Sequence, residues 1–417
     1  MGARARNLRL AAWGAGGVLL GASLVVLALN VVARSKWGHE FVLQQTLEAL
    51  APSINGELTI ERMSGNLFEG ANVYGLRLVD AEGRTFLAAD SGYLDYRVTT
   101  LLSPRIHIES ALLFEPEVYV FRLPGDTLWN YEAIFADTTP RDPTLPRVER
   151  ATLVDLLLVR DGMVRVQLPW EPDPRLGPRA RRAEIELALS DTSRILVDSV
   201  AGGYLRTMNF TALNGRLSRI RFAPGTRNGS RIHIDSIRTQ AQIFREPAEL
   251  VHAQGIVALL PGHIELDAPL VRLPNSDLAV SGVVRSDRFP EWFDRDEAPM
   301  YDLAFRSDSV FFRDLLWLYP LFPEEARGSL TFRIEHRPEG LMFLARDARF
   351  AAPRTRIGGS FGMIVGDTLR FVEVDLEAEP VDVALIDGML PEGLPVVGLR
   401  LGGAEIRGNG GAGGAAP

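Results

Sequence analysis

The chain of 417 residues contains no cysteine, which excludes a disulfide framework, a thiolate zinc site and a cysteine nucleophile together. Lysine is almost missing as well: Lys36 is the only one, and arginine carries the remaining basic charge. Histidine is sparse. The six residues at 39, 107, 233, 252, 263 and 336 form no H-E-x-x-H and no other metal-ligand spacing, so they read as polar-face strand or loop residues. An excess of positive charge is also lacking, since 45 Lys and Arg face 53 Asp and Glu. Five of the basic residues (Arg4, Arg6, Arg9, Arg34, Lys36) stand in the first 36 positions with no acid beside them, leaving the other 381 residues with 40 basic and 53 acidic side chains. Phosphate backbones are bound by Lys and Arg, so nucleic acid is no partner for this acidic body.

Catalytic constellations are missing too. Gly358-Gly359-Ser360-Phe361-Gly362 fits G-x-S-x-G, but the nucleophile elbow needs a following helix and a later histidine; strand continues here, and the last histidine lies upstream. Glycines at a strand start or bulge are the simpler account. The acids Asp287, Glu291, Asp294, Asp296 and Glu297 lack the spacing of a calcium loop. No catalytic, metal or cofactor site is expected.

What the chain does have is one long apolar run. Trp13 to Val32 carries no charge, and its twenty residues span about 30 Å as a helix, the thickness of a hydrocarbon core. Basic residues on both flanks weakly favour a cytoplasmic N-terminus with the bulk exported. A cleaved signal segment ending near Val31-Val32-Ala33 is the competing reading, although its apolar region would usually be shorter. Residues 37–52 read as a juxtamembrane helix with Phe41, Leu43, Leu47 and Leu50 on one side, ended at Ala51-Pro52.

From Asn55-Gly56 onward the period switches to two. Strands are expected over Glu57–Met63, Asn72–Asp80, Thr85–Ala89, Gly92–Val98, Arg105–Glu109, Glu117–Leu123, Met163–Leu168, Ala183–Ser190, Arg231–Ile237, Gly255–Leu260, His263–Leu266, Leu278–Val284, Ser329–Glu335, Arg356–Val365 and Leu369–Glu377. Glu82-Gly83, Asp161-Gly162, Asn214-Gly215, Asn228-Gly229, Pro261-Gly262 and Gly366-Asp367 are expected to be turns. Ala136–Arg150 and Leu168–Arg182 read as Pro-rich surface loops, the second holding Arg175, Arg179, Arg181 and Arg182; a short helical insert is expected near 314–319.

The fold class is therefore all-β, with alternation that places apolar residues on one face. Leu58, Ile60, Leu76, Leu78, Leu94, Tyr96, Ile106, Ile108 and Val164 are candidates for that face. So are Val166, Ile185, Leu187, Ile232, Ile234, Ile264, Leu266, Phe332 and Ile334. Such a face must be covered, by a second sheet in a sandwich, or in an elongated, curled antiparallel sheet by whatever fills an apolar groove. Periodicity does not choose between these.

Ser64-Gly65-Asn66-Leu67-Phe68-Glu69-Gly70, Val73-Tyr74-Gly75-Leu76-Arg77-Leu78-Val79-Asp80, Leu94-Asp95-Tyr96-Arg97 and Arg105-Ile106-His107-Ile108, behind an N-terminal anchor, resemble the start of AsmA-like proteins of the TamB type. Leu273-Pro274-Asn275-Ser276-Asp277 and Asp314-Leu315-Leu316-Trp317-Leu318-Tyr319-Pro320 resemble later segments of that family. The resemblance implies a single-pass inner-membrane protein with its bulk in the periplasm. There an apolar β-sheet groove would carry phospholipid acyl chains toward the outer membrane without covalent chemistry. It also implies a possible outer-membrane barrel partner, and with it an alternative role in assembling outer-membrane proteins by β-strand templating. Read this way, the chain divides into an anchor (1–36), a juxtamembrane helix (37–52), a first family-like β segment (53–135), strands with Pro-rich loops (136–182), a continuing sheet (183–402) and a Gly/Ala-rich tail (403–417). Family members are typically longer, which makes the chain an expected N-terminal portion.

Overall fold

The computed structural model describes residues 54–66, 70–96, 105–135, 151–172, 176–190, 195–223, 229–243, 247–285, 300–317, 320–365, 369–378 and 380, together with Gln44. The expected membrane span, most of the juxtamembrane helix, the segment 136–150, the acidic patch and the tail lie outside them. Among the described residues no helix is long and apolar enough to cross a membrane.

The described chain is mostly strand: β1 (Gly56–Asn66), β2 (Gly70–Asp80), β3 (Thr85–Tyr96), β4 (Arg105–Phe114), β5 (Glu117–Phe121), β6 (Ala151–Trp170), β7 (Leu196–Val200), β8 (Gly203–Phe222) and β9 (Ser230–Gln242). The series continues with β10 (Ala248–Leu260), β11 (His263–Arg272), β12 (Asp277–Arg285), β13 (Met300–Phe311), β14 (Arg327–Arg337), β15 (Gly340–Ala352), β16 (Thr355–Val365) and β17 (Leu369–Ala378). All belong to one sheet. From β8 to β17 each strand pairs antiparallel with the next, as short connections dictate.

The antiparallel expectation fails at one junction. β4 and β5 lie end to end beside β6 and run parallel to it, at a constant offset from Arg105 opposite Ala151 to Phe121 opposite Gln167. A parallel neighbour needs a long crossover, supplied here by the chain between β5 and β6. That crossover begins with helix α1 (Asn130–Ile134), whose Asn130 side chain acts as a piece of strand along β5: its Oδ1 accepts from the Phe121 N–H at 3.0 Å and its Nδ2 donates to the Tyr119 carbonyl at 2.6 Å.

Two further expectations are corrected. Ala183–Ser190 is not a strand but the end of helix α2 (Pro178–Ser190). Ile185-Glu186-Leu187-Ala188-Leu189 alternates like a strand, yet Pro178 suits a first helical turn and Ala, Arg, Glu and Leu are strong helix formers. Arg179, Arg181 and Arg182 stand exposed in its N-terminal part, so the expected loop shrinks to the link between β6 and α2. Asp161-Gly162 and Asn214-Gly215 are not turns either: they lie inside the 20-residue strands β6 and β8.

What these pairs form are β-bulges. Glu115, Asp161 and Ala212 adopt positive φ (47°, 53° and 50°) at neighbouring positions of successive rows. Asn214 locks the last two together, its Oδ1 accepting from the Asp161 N–H at 3.3 Å and its Nδ2 donating to Asp161 Oδ1 and to the Ala212 carbonyl, both at 3.0 Å. The irregularity continues across the sheet, because every pairing from β8 to β17 contains a register shift. Bulges bend strands and increase their twist, and the bend is measurable. Phe222 ends β8 twelve residues beyond Phe210, which shares a row with Leu87; straight strands would separate Phe222 from Phe86 by about 40 Å. The Phe135 ring nevertheless packs edge-on against both, with centroids 6.0 Å from Phe86 and 5.2 Å from Phe222.

The short helical insert is a 3-10 turn, Phe312–Leu315. Its buried Asp314 accepts from the Asn275 N–H (2.8 Å), the Asn275 amide (2.9 Å) and the Ser276 hydroxyl (2.6 Å), tying the β11–β12 turn to the end of β13.

Candidate functional site: the apolar face of the sheet

Cross-strand register gathers the candidate residues into continuous rows. One row runs Leu58, Leu78, Leu87, Val118, Val164, Phe210, Ala241 from β1 to β9. Ile60 and Leu76 sit beside it opposite Ala89, and Val166 lies between Val120 and Met208. Another row joins Ala71, Leu94, Ala111, Leu157, Leu217 and Ile234. Next to Ile234, Ile232 opens the longest row, which passes through Val257, Leu266, Gly282, Leu303, Ile334, Phe343 and Met363 to Phe371 on β17. Phe332 stands in a parallel row with Val280, Phe305, Ala345 and Phe361, and Ile264 in one with Leu259, Val284 and Tyr301. Ile108 is opposite Val154 and Tyr96, and Ile106 is in register with Thr152.

These rows share one face even though the bulges reset the alternation. Where β8 is bulged, β9 runs unbroken from Ala241 to Ile237; where β9 is bulged, β8 runs unbroken from Gly215 to Leu217. Face identity passes from strand to strand this way, since positions i and i+2 share a side. Ile185 and Leu187 are the exceptions. They sit on α2, where Leu187 is 44% exposed, and so leave the candidate set.

Most side chains on this face are half-buried, including Leu94, Leu157, Leu217, Ile232, Ile234, Leu266, Leu303, Ile334 and Phe343. Fully buried large side chains are few among the described residues: Ile134, Met342, Val73 and Val310. On the face itself Leu78, Val159, Leu168 and Ile220 are also buried, but among the described residues all strands belong to one sheet and no second sheet covers the face. Aromatic rings pave its far half, with Phe332 6.0 Å from Phe305 and 6.4 Å from Phe343, and Phe361 5.6 Å from Phe371.

The opposite face carries the charged pairs, and on β15 and β16 also a small buried cluster of Met342, Leu344 and Ile364. His107 meets Asp155 at 2.9 Å, Arg333 meets Asp302 at 3.0 Å, and Arg346 makes a two-pronged pair with Glu373 at 2.8 Å that holds the Glu373 carboxyl below the usual carboxylate range. Ser360 lies within β16, where the register with β17 shifts between Ser360 and Gly362, with no following helix. Among the described residues no group of three or more His, Asp or Glu side chains is placed to hold a metal ion. Two arginines on the apolar face, Arg122 and Arg206, escape sequence reading. No family model, no curated protein and no solved structure matches the chain.

Proposed function

We propose that the protein is a non-enzymatic carrier that lets phospholipid acyl chains slide along the apolar face of its sheet between the inner and outer membrane, anchored through residues 13–32. One observation carries the reading: apolar rows connect β2 to β17 without interruption, yet most of their side chains stay half-exposed. A sandwich would bury these side chains under a second sheet. The bulges favour a trough instead, because they bend each strand and bring distant strand ends to the single ring of Phe135. Each square ångström of chain buried there contributes of order 25 cal/mol, enough to hold a lipid and spread evenly enough to let it slide. The resemblance to AsmA-like proteins of the TamB type points the same way.

Photo-crosslinking in the full-length, membrane-embedded protein tests this. Crosslinkers at Ile232 and Ile334 are expected to capture phospholipid, and those at His233 and Arg333 to capture little. Equal capture on both faces would sink the proposal. The second reading, strand templating for outer-membrane proteins, is favoured by β1, which pairs on one side only among the described residues. Capture of an outer-membrane polypeptide along β1, with no lipid on the apolar face, would select it.

A further inference from the structure

The row that closes the apolar face at one strand end is charged. Val118, Val120 and Arg122 follow one another on that face, and beyond the last β5–β6 pair the Arg122 N–H donates to the Gln167 carbonyl at 3.0 Å, bringing Arg122 beside Leu168. Leu168 pairs with Arg206, and Arg206 with Val197. Two arginines thus flank one leucine, two strand spacings or about 10 Å apart at the backbone. The place is dry: Leu168 and Val197 are 6% and 5% exposed.

Arg122 itself is 6% exposed, its Nε is buried without a hydrogen-bond partner, and no carboxylate among the described residues lies within ion-pair distance of it. Asp80, an acid on the same face of β2, is already held by Arg84, Nε to Oδ2, at 2.6 Å. Arg206 donates through Nη2 to the Ile243 carbonyl at 3.2 Å, and burial lowers its pKa. Arg122 is thus a buried cation with no counter-ion among the described residues, which is costly unless an anion arrives to meet it. Guanidinium forks fit the oxygens of a phosphate better than any other side chain.

We infer that Arg122 and Arg206 form a seat for the phosphate group of a bound amphiphile, whose chain lies on the adjoining rows of Val166 with Met208 and Val164 with Phe210. The chain's placement rests on the function proposed above; recognition of phosphate does not. Full-length protein in detergent micelles would be titrated with phosphatidic acid and with diacylglycerol carrying the same labelled chains. The wild type is expected to bind phosphatidic acid at least about tenfold more tightly, the scale of a charge-assisted hydrogen bond. Arg122→Gln and Arg206→Gln should bring the two lipids within about twofold, Arg122→Lys should restore part of the difference, and Arg349→Gln on the opposite face should change nothing. Competition by inorganic phosphate would trace the natural ligand to free phosphate, and its absence to the lipid head group; both outcomes support the seat. A tenfold preference surviving in Arg122→Gln, or none in the wild type, overturns it. If neither lipid binds, the carrier function has failed, and thermal stabilisation by inorganic phosphate, present in the wild type and lost in Arg122→Gln, decides the seat alone.

Discussion

Asp314 shows what single residues do in a protein with little closed core. It accepts three hydrogen bonds from Asn275 and Ser276, and Ser276 Oγ in turn accepts from the Phe311 N–H at 2.9 Å, so one carboxylate fixes a turn, a strand end and a 3-10 turn. Asp314→Ala strands these donors in a buried place and should cost about 3 kcal/mol, read as a lower urea midpoint; Asp314→Asn, which keeps an acceptor, should lose about half of that. In the sequence the two partner segments, 273–277 and 314–320, are separate stretches. Their joining is not legible there, because Ser276 and Asp314 stand 38 positions apart and alternation carries no information on long-range pairing. The same limit hid Arg122 and Arg206, whose face can be assigned only once register across β5, β6 and β8 is known.

At the scale of elements, alternation located strands well wherever it ran uninterrupted, as in β1, β2 and β14. It failed at the bulges. Asp-Gly and Asn-Gly supply positive φ, and a hairpin turn and a β-bulge both use it, so residues 161–162 and 214–215 looked like chain reversals while β6 and β8 run straight through them. In α2, five alternating residues fitted both periods, and helix propensity decided. The bulge in β6 has a sharp consequence. Deleting Asp161 would shift the register of Met163 to Trp170 by one residue and turn Val164, Val166 and Leu168 to the polar face. Because β6 is pinned by β5 on one side and β8 on the other, that variant should lose protease resistance and β-sheet circular dichroism. Asp161→Gly keeps the positive φ and should remain folded, within about 1 kcal/mol of the wild type.

At the scale of the whole molecule, the distance covered by the rows matters more than any one contact. From β2 to β17 the connected rows cross fourteen strand positions, about 60 Å at the spacing of paired strands. An acyl chain fills half of a hydrocarbon core, about 15 Å, so the face is several chain lengths long and suits a path better than a pocket. A path has a property that a pocket lacks, since one obstruction separates its two ends. Leu303 lies in the longest row between Gly282 and Ile334, and on the proposed function a carboxylate there would face any acyl chain moving past it with a charge that hydrocarbon does not solvate. Leu303→Asp should slow lipid transfer between donor and acceptor vesicles at least about tenfold, while the neighbouring Ala304→Asp, on the polar face, leaves it unchanged. With crosslinkers at Leu94 and at Phe371 in the Leu303→Asp background, capture should persist at one end and fall at the other. The end that falls reports the direction of travel, and undiminished capture at both would mean that lipid does not move along this face.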